Sequence, residues 1–492
     1  MKYIRLTMKE SKLIEILSSL SPGEFKSFEK MVFSPYFAVR EVKPLFLALK
    51  PHYPEFSAQK LQKAQIFNQV FPGQKYNEKK LKNLVTDLTR LAEELLISLS
   101  ASSNESDSIR MIAGQYKERK KDKLFLRTLN VLESKLSKKL FSSIECFSEE
   151  EKTEFMKAGF YNSRNMFEKS VASKLIYSEY FTVSFIVRFL RLQRDKITIT
   201  TAYNLPFENP LIDGVYESMD FEKLISILRR DNYPLLWLIE IYYYVFMSSQ
   251  EIDNDGHYFL LKENFLANID KFSHTEKFFL FNDLIDCCVR KFNLGRREYE
   301  REEFDVYTQL FIHNAFSATE KDYLSLVFYR NVMLLALNLK EFEWLRKFIY
   351  EFSPKLKPEY MENMMNLASA NLSFEEGDFE QALQYISRVQ YDIFLYKTDI
   401  KNLMLRIYYE LGYFEQAFSL VDSYRHFLID SAELSAMFKK QQMNFLNIYV
   451  KLLKAKADGA GGSVEFLQNE IKKQGQTALQ NWLTRKIDEF SN

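Results

Sequence analysis

Two phrases set thirty-five residues apart constrain this chain more than any other feature: EEGDFEQALQYI (375–386) and ELGYFEQAFSLV (410–421). A third, LKEFEWLRKFI (339–349), is a weaker echo. Aligned on the small or apolar residue after each Phe-Glu pair, they place Leu345, Ala382 and Ala417 in register, at spacings of 37 and 35 residues. Self-similarity with a period of about 34 residues marks stacked helical hairpins, because no single hairpin buries its apolar face alone.

Each phrase makes physical sense as a hairpin. Leu367, Ala370 and Phe374 share one face of a first helix. Gly377 follows, where a helix commonly ends on a residue of positive φ. Asp378 can cap the second helix, which turns Phe379, Ala382, Leu383 and Ile386 inward. The next unit repeats the scheme with Leu405, Tyr408, Gly412, Phe414, Ala417 and Val421. The small Ala382 and Ala417 let two helices approach closely.

On these residues the units resemble tetratricopeptide repeats. Ala370, Gly377 and Ala382 match that family's pattern in the first unit, and Gly412 and Ala417 in the second. The chain departs from it in three places. Leu405 replaces the small residue of the first helix, Phe394 stands where a proline is usual, and Lys340 occupies the Gly position of the third phrase. YESMDFEKLISILRRD (216–231) is a further echo with Met219 at that position, and residues 155–197 read as paired helices.

Composition agrees with an all-α fold. Only 13 Gly and 11 Pro interrupt 492 residues, too few breakers for a strand-rich chain. The three cysteines, Cys146, Cys287 and Cys288, form neither a disulfide framework nor a paired zinc spacing, which points to a reducing, cytoplasmic setting. Charged residues interrupt the N-terminus where a signal peptide needs an apolar core, and LLWLIEIYYYVFM (235–247) is too short to span a bilayer and reads as a buried helix. No membrane contact is expected.

The near-zero net charge hides an asymmetry: residues 1–145 carry 26 Lys and Arg against 16 Asp and Glu, and the remainder 41 against 50. The expected organisation is a basic helical domain at 1–99, a linker over SASSNESDS (100–108), a right-handed helical array over 109–456 that is clearest at 327–430, and one capping helix over 464–492. In the first domain Ser21 is expected to cap a helix, Pro72-Gly73 to turn the chain, and Leu81, Leu84, Val85, Leu88, Leu91, Ala92 and Leu95 to line a long amphipathic helix.

The chemistry of a reaction centre is missing from the motifs. The five histidines are scattered, and no phosphate-binding glycine loop, zinc-protease pair or nucleophile elbow occurs. DNDGH (253–257) lacks the acidic residue that would close a calcium loop, Asn264 standing in its place. Cys287 and Cys288 lie on an apolar helix face and read as buried thiols. The expectation is therefore a non-enzymatic scaffold or adaptor in a bacterial-type cytoplasm, without metal or cofactor, that binds a protein or peptide.

Two surfaces are candidates. The resemblance to tetratricopeptide arrays implies a groove lined by Arg330, Asn371, Phe374, Asn402, Arg406 and Tyr409, with Asn gripping a peptide backbone and Arg a carboxylate. The alternative is a DNA-binding transcriptional regulator. Residues 61–96 have the cadence of a winged-helix reader with Lys79, Lys80, Lys82 and Arg90 on its longer helix, although no strand pair for a wing follows Leu99. Lys79, Lys80 and Lys82 also fan around the helix and cannot all face one groove.

Overall fold

A computed structural model describes residues 7–37, 42–57, 59–136, 144–202, 204–390, 394–457, 464–474 and 476–489. Among them are twenty-four α-helices and no strand, so the fold is all-α. The chain divides into two compact units, one of residues 1–140 with 145–182, the other of 141–144 with 183–492.

In the first unit α1 (Lys12–Ser19), α2 (Pro22–Phe33), α3 (Lys43–Leu49), α4 (Lys63–Val70) and α5 (Glu78–Ser103) enclose a core of their own, with Leu13, Phe28, Phe46, Phe67 and Leu88 fully buried. Ser21 caps α2 as expected: its backbone N–H donates to Glu24 Oε2 at 2.8 Å, and its hydroxyl accepts from the Glu24 N–H. Gly73 takes the positive φ of the Pro-Gly turn. The expected stripe of α5 is buried throughout, save that Val85 is half-buried.

The expected linker at 100–108 is instead helical. Residues 100–103 complete α5, and Asn104 caps α6 (Glu105–Glu118) by accepting from the Asp107 N–H at 3.2 Å. Ser, Asn and Asp suit a cap as well as a loop, and here the cap wins. Beyond α6 come α7 (Asp122–Leu136), α8 (Ile144–Ser163) and α9 (Phe167–Ala202), whose residues up to Thr182 belong to this unit.

The second unit continues with α10 (Pro210–Ser218), α11 (Phe221–Arg230), α12 (Leu236–Gln250), α13 (Asp255–Ala267), α14 (His274–Asn293), α15 (Tyr299–Ile312), α16 (Leu326–Asn338), α17 (Phe342–Phe352), α18 (Pro358–Glu375), α19 (Phe379–Ser387), α20 (Phe394–Leu411), α21 (Phe414–Asp430), α22 (Ala436–Ala457), α23 (Val464–Gln474) and α24 (Gln480–Asp488). Sequence neighbours pack together, α12 on α13, α14 on α15, α16 on α17, α18 on α19 and α20 on α21. Alternate helices also touch, α12 with α14, α16 with α18, and α18 with α20. The apolar run at 235–247 is the buried helix α12, and no described helix is long and apolar enough to cross a membrane.

One local geometry closes four of these pairs. Gly295, Lys340, Gly377 and Gly412 all have positive φ. In each case the following N–H reaches back five residues to a carbonyl: Arg296 to Lys291, Glu341 to Ala336, Asp378 to Ser373, and Tyr413 to Tyr408. Glycine adopts this conformation without strain, so Lys340 holds it against the cost of its Cβ. The Asp378 carboxylate accepts from the Gln381 N–H at 3.0 Å, and Ala370, Ala382 and Ala417 are fully buried.

The C-terminal segment corrects a second expectation. In place of one capping helix there are two, α23 and α24, separated by a turn in which Leu479 has a φ of 53°. Leu467 and Ile471 are buried on α23, whereas Trp482, Leu483 and Ile487 are buried on α24. Helix α24 packs on both α22 and α23, so the chain must turn for both apolar faces to be covered. Residues 458–463 and 490–492 lie outside the described residues.

Candidate functional site

Where the ends of α16 and α18 meet α20 and α24, a cleft of about 470 Å³ opens. Asn338, Lys340, Glu375, Arg406, Trp482 and Arg485 are among its walls. Three of these side chains are cations and one an anion. Lys340 and Arg485 are exposed, while Arg406 is largely covered.

Each wall has a local cause. Lys340 owes its place to the left-handed turn after α16. Trp482 is fixed by its neighbours, packing edge-on against Tyr409 at 5.3 Å between centroids and nearly parallel to Tyr449 at 6.1 Å. Lys486, one turn further on, pairs with Glu410 at 2.8 Å and ties α24 to α20.

Arg406 is the centre of the arrangement. Its guanidinium lies 4.5 Å from the Phe374 ring centroid and donates to Glu375 Oε1 at 3.1 Å. Burial, helped by the charge of Arg485, holds its pKa below the ordinary guanidinium value, against the pull of Glu375. Arginine nonetheless stays charged. Among the described residues the Arg406 Nε is buried with no acceptor, and so is Trp482 Nε1. Two sealed donors thus stand in the wall of a cleft that carries more positive than negative charge.

The other expected groove residues are placed differently. Asn371, Phe374, Asn402 and Tyr409 are buried, each less than 9% exposed, and so do not line an open groove. Asn371 donates to Leu367 O at 2.9 Å within its own helix. Asn402 donates to Gln442 Oε1 at 3.2 Å, an oxygen that also accepts from Tyr424. Tyr409 lies beneath Trp482, and Lys456 sits 4.1 Å from the centroid of its ring. Arg330 holds Asp399 through both carboxylate oxygens, so its fork is occupied from within.

The reason for this inversion is that α22 and α24 cover Asn402 and Tyr409 on α20, while Arg406 of α20 and Phe379 of α19 cover Phe374 on α18. Of the expected set only Phe374 and Arg406 come together in one place. Sequence reasoning missed Lys340, Glu375, Trp482 and Arg485 as cleft residues. A usable signal existed in Trp482, Leu483 and Ile487, an apolar set that a polar terminal cap does not need.

The basic residues of the alternative reading lie on α5. Lys79, Lys80, Lys82 and Arg90 are all exposed. Lys80 donates to Gln74 Oε1 at 2.7 Å and lies 4.0 Å from the Phe71 ring centroid, while Arg90 reaches Glu94 at 3.9 Å. Among the described residues α6 follows α5 directly, with no wing strands. Asp255 of the acidic loop is held by Lys291, Arg296 and Tyr299. Cys287 and Cys288 are buried, and burial pushes the Cys287 thiol up to about 11 and that of Cys288 higher still. No family model, curated protein or solved structure matches the chain.

Proposed function

We propose that this protein is a non-catalytic scaffold of a reducing, cytoplasmic compartment, built as a tetratricopeptide-like helical array. It docks a protein or peptide through the Arg406 cleft, and the docked segment presents a carboxylate-rich, anionic surface. The observation that carries this reading is the pair of acceptor-less donors, Arg406 Nε and Trp482 Nε1, in a cleft rimmed by Lys340 and Arg485. A buried donor left unpaired costs about 1–3 kcal/mol. An arriving carboxylate recovers part of that cost through a small shift of the wall, and the rim charges speed its approach. The four similarly closed helix pairs and the touching alternate helices support the array.

The test uses labelled acidic peptides of varied spacing, titrated with the full chain and read by fluorescence anisotropy at two salt concentrations. Binding that weakens with salt, and falls at least tenfold in a Lys340→Gly/Arg485→Ser variant, is the expected result. Both positions are on the exposed rim, so the variant keeps its fold. Undiminished affinity in that variant would remove the cleft from the reading.

A further inference from the structure

The α8–α9 pair of the first unit buries polar side chains beside Phe147, Ala158 and Phe160 and leaves large apolar ones outside. Facing inward, Glu150, Thr153, Glu154, Lys157, Ser170 and Ser173 are all buried. Lys157 pairs with Glu133 and with Glu154, and the Ser170 hydroxyl donates to Ala158 O at 3.0 Å. Facing outward are Phe155, Phe167, Val171, Leu175 and Phe181, between 50% and 68% exposed. Helical spacing sets Phe167, Val171 and Leu175 in one row along α9, with Phe181 beside it. Tyr177 joins them to α8, its ring 5.6 Å from Phe155 and 6.3 Å from Phe181.

Soluble monomers rarely leave so large an apolar patch uncovered. At the area such side chains carry, the patch amounts to on the order of 600–800 Å², about one partner's share of a standard interface. The charges beside it identify the occupant. Lys174 and Glu179 are exposed, flank the row on opposite sides and stand five residues apart. Two parallel copies of α9 then bring Lys174 of each to Glu179 of the other, the flanking-pair arrangement of a parallel helix dimer.

We infer that the α9 row is the two-fold interface of a homodimer in which α9 of one copy lies parallel to α9 of a second copy. Any ligand site on the chain is then present twice, which raises affinity for a bivalent partner without a new contact.

Sedimentation velocity of the full chain at micromolar concentration is expected to give a dimer. A Val171→Glu/Leu175→Glu variant is expected to sediment as a monomer with unchanged helical circular dichroism, since both positions are exposed, and to lose the concentration dependence of melting temperature that the dimer shows. In a Cys146→Ser background, Leu175→Cys is expected to form a disulfide-linked dimer on oxidation, whereas Lys169→Cys, on another face of α9, is not. A wild-type chain that stays monomeric, or a dimer that survives the double glutamate variant, overturns the proposal. A dimer that Leu175→Cys fails to cross-link overturns the parallel pairing.

Discussion

Arg330 of α16 grips Asp399 of α20 through a two-pronged pair that spans 69 residues of sequence, with Nη2 2.9 Å from Oδ1 and Nε bonded to Oδ2. The contact joins two first helices of different pairs, and both side chains are mostly covered. Arg330→Ala leaves the Asp399 carboxylate stranded and is expected to cost about 2 kcal/mol by urea denaturation. Arg330→Lys keeps the charge but loses the fork, so it recovers only part of that. Equal stability of all three proteins would show that the pair contributes nothing.

Lys340 has a φ of 59° in a turn where Gly377 and Gly412 serve the same purpose. A non-glycine residue in that region costs about 1–2 kcal/mol. The added backbone entropy of glycine takes back about 0.5–1 kcal/mol. Lys340→Gly is therefore expected to stabilise the protein by up to about 1.5 kcal/mol, seen as a rise in melting temperature. A fall would mean that the lysine side chain holds the turn in some other way.

Trp482 anchors α24 against Tyr409, Phe445 and Tyr449. Trp482→Ala opens a cavity and is expected to cost about 3–5 kcal/mol. Trp482→Phe keeps a ring and deletes the donor that has no acceptor, so its cost should be less than half of that. Similar losses in the two variants, measured by chemical denaturation, would show that the indole N–H is satisfied after all.

Lys291 is wholly buried and leans on Asp255, 2.8 Å away. Asp255→Ala abandons that charge and is expected to cost about 3–5 kcal/mol. Burial pushes the Asp255 carboxyl up, but hydrogen bonds from Arg296, Lys291 and Tyr299 outweigh it and hold the pKa well below the usual range. A depressed carboxyl stabilises the fold above its unfolded value of about 3.9 and loses that contribution as pH falls toward the folded value. Acid titration of stability should accordingly be steeper in the wild type than in Asp255→Ala. Parallel curves would rule this linkage out.

Glu150 behaves in the opposite sense. Burial, with the charge of Glu154 second, raises it to about 7. The folded state then holds the proton more tightly than the unfolded chain, so this contribution is present below about pH 4.3 and is lost as pH rises through 7. Glu150→Gln should raise the melting temperature at pH 8 and change it little at pH 5. An equal shift at both values would separate the effect from titration.

Parts of this architecture were legible because their causes are local. Gly377 and Gly412 sit where a backbone must take positive φ, Asp378 where a helix needs an acceptor, and Ala382 and Ala417 where two helices leave room for a methyl group. Ser21 and the apolar stripe of α5 follow from capping and helical periodicity in the same way. The turn at Gly295 has the same geometry, but a 45-residue step to Lys340 hides it from a search for a 35-residue period.

The placement of the expected groove residues was not legible, because a helix face is defined by whatever packs against it. Asn402 is buried by its meeting with Gln442 and Tyr424, and Tyr409 by Trp482, partners that lie 40, 22 and 73 residues further along the chain. Amphipathic spacing says that a face is apolar or mixed, and it does not say which distant helix covers it. The amino-acid sequence by itself determined the all-α class, the caps at Ser21 and Asp378 and the turns at Gly377 and Gly412, since these depend on φ, hydrogen-bonding groups and side-chain volume within a few residues. Only the tertiary structure decided that Arg330 would be taken by Asp399, that Phe374 would become the floor under Arg406, and that α24 would bring Trp482 and Arg485 to the cleft. Those outcomes depend on long-range burial, which no local pattern encodes.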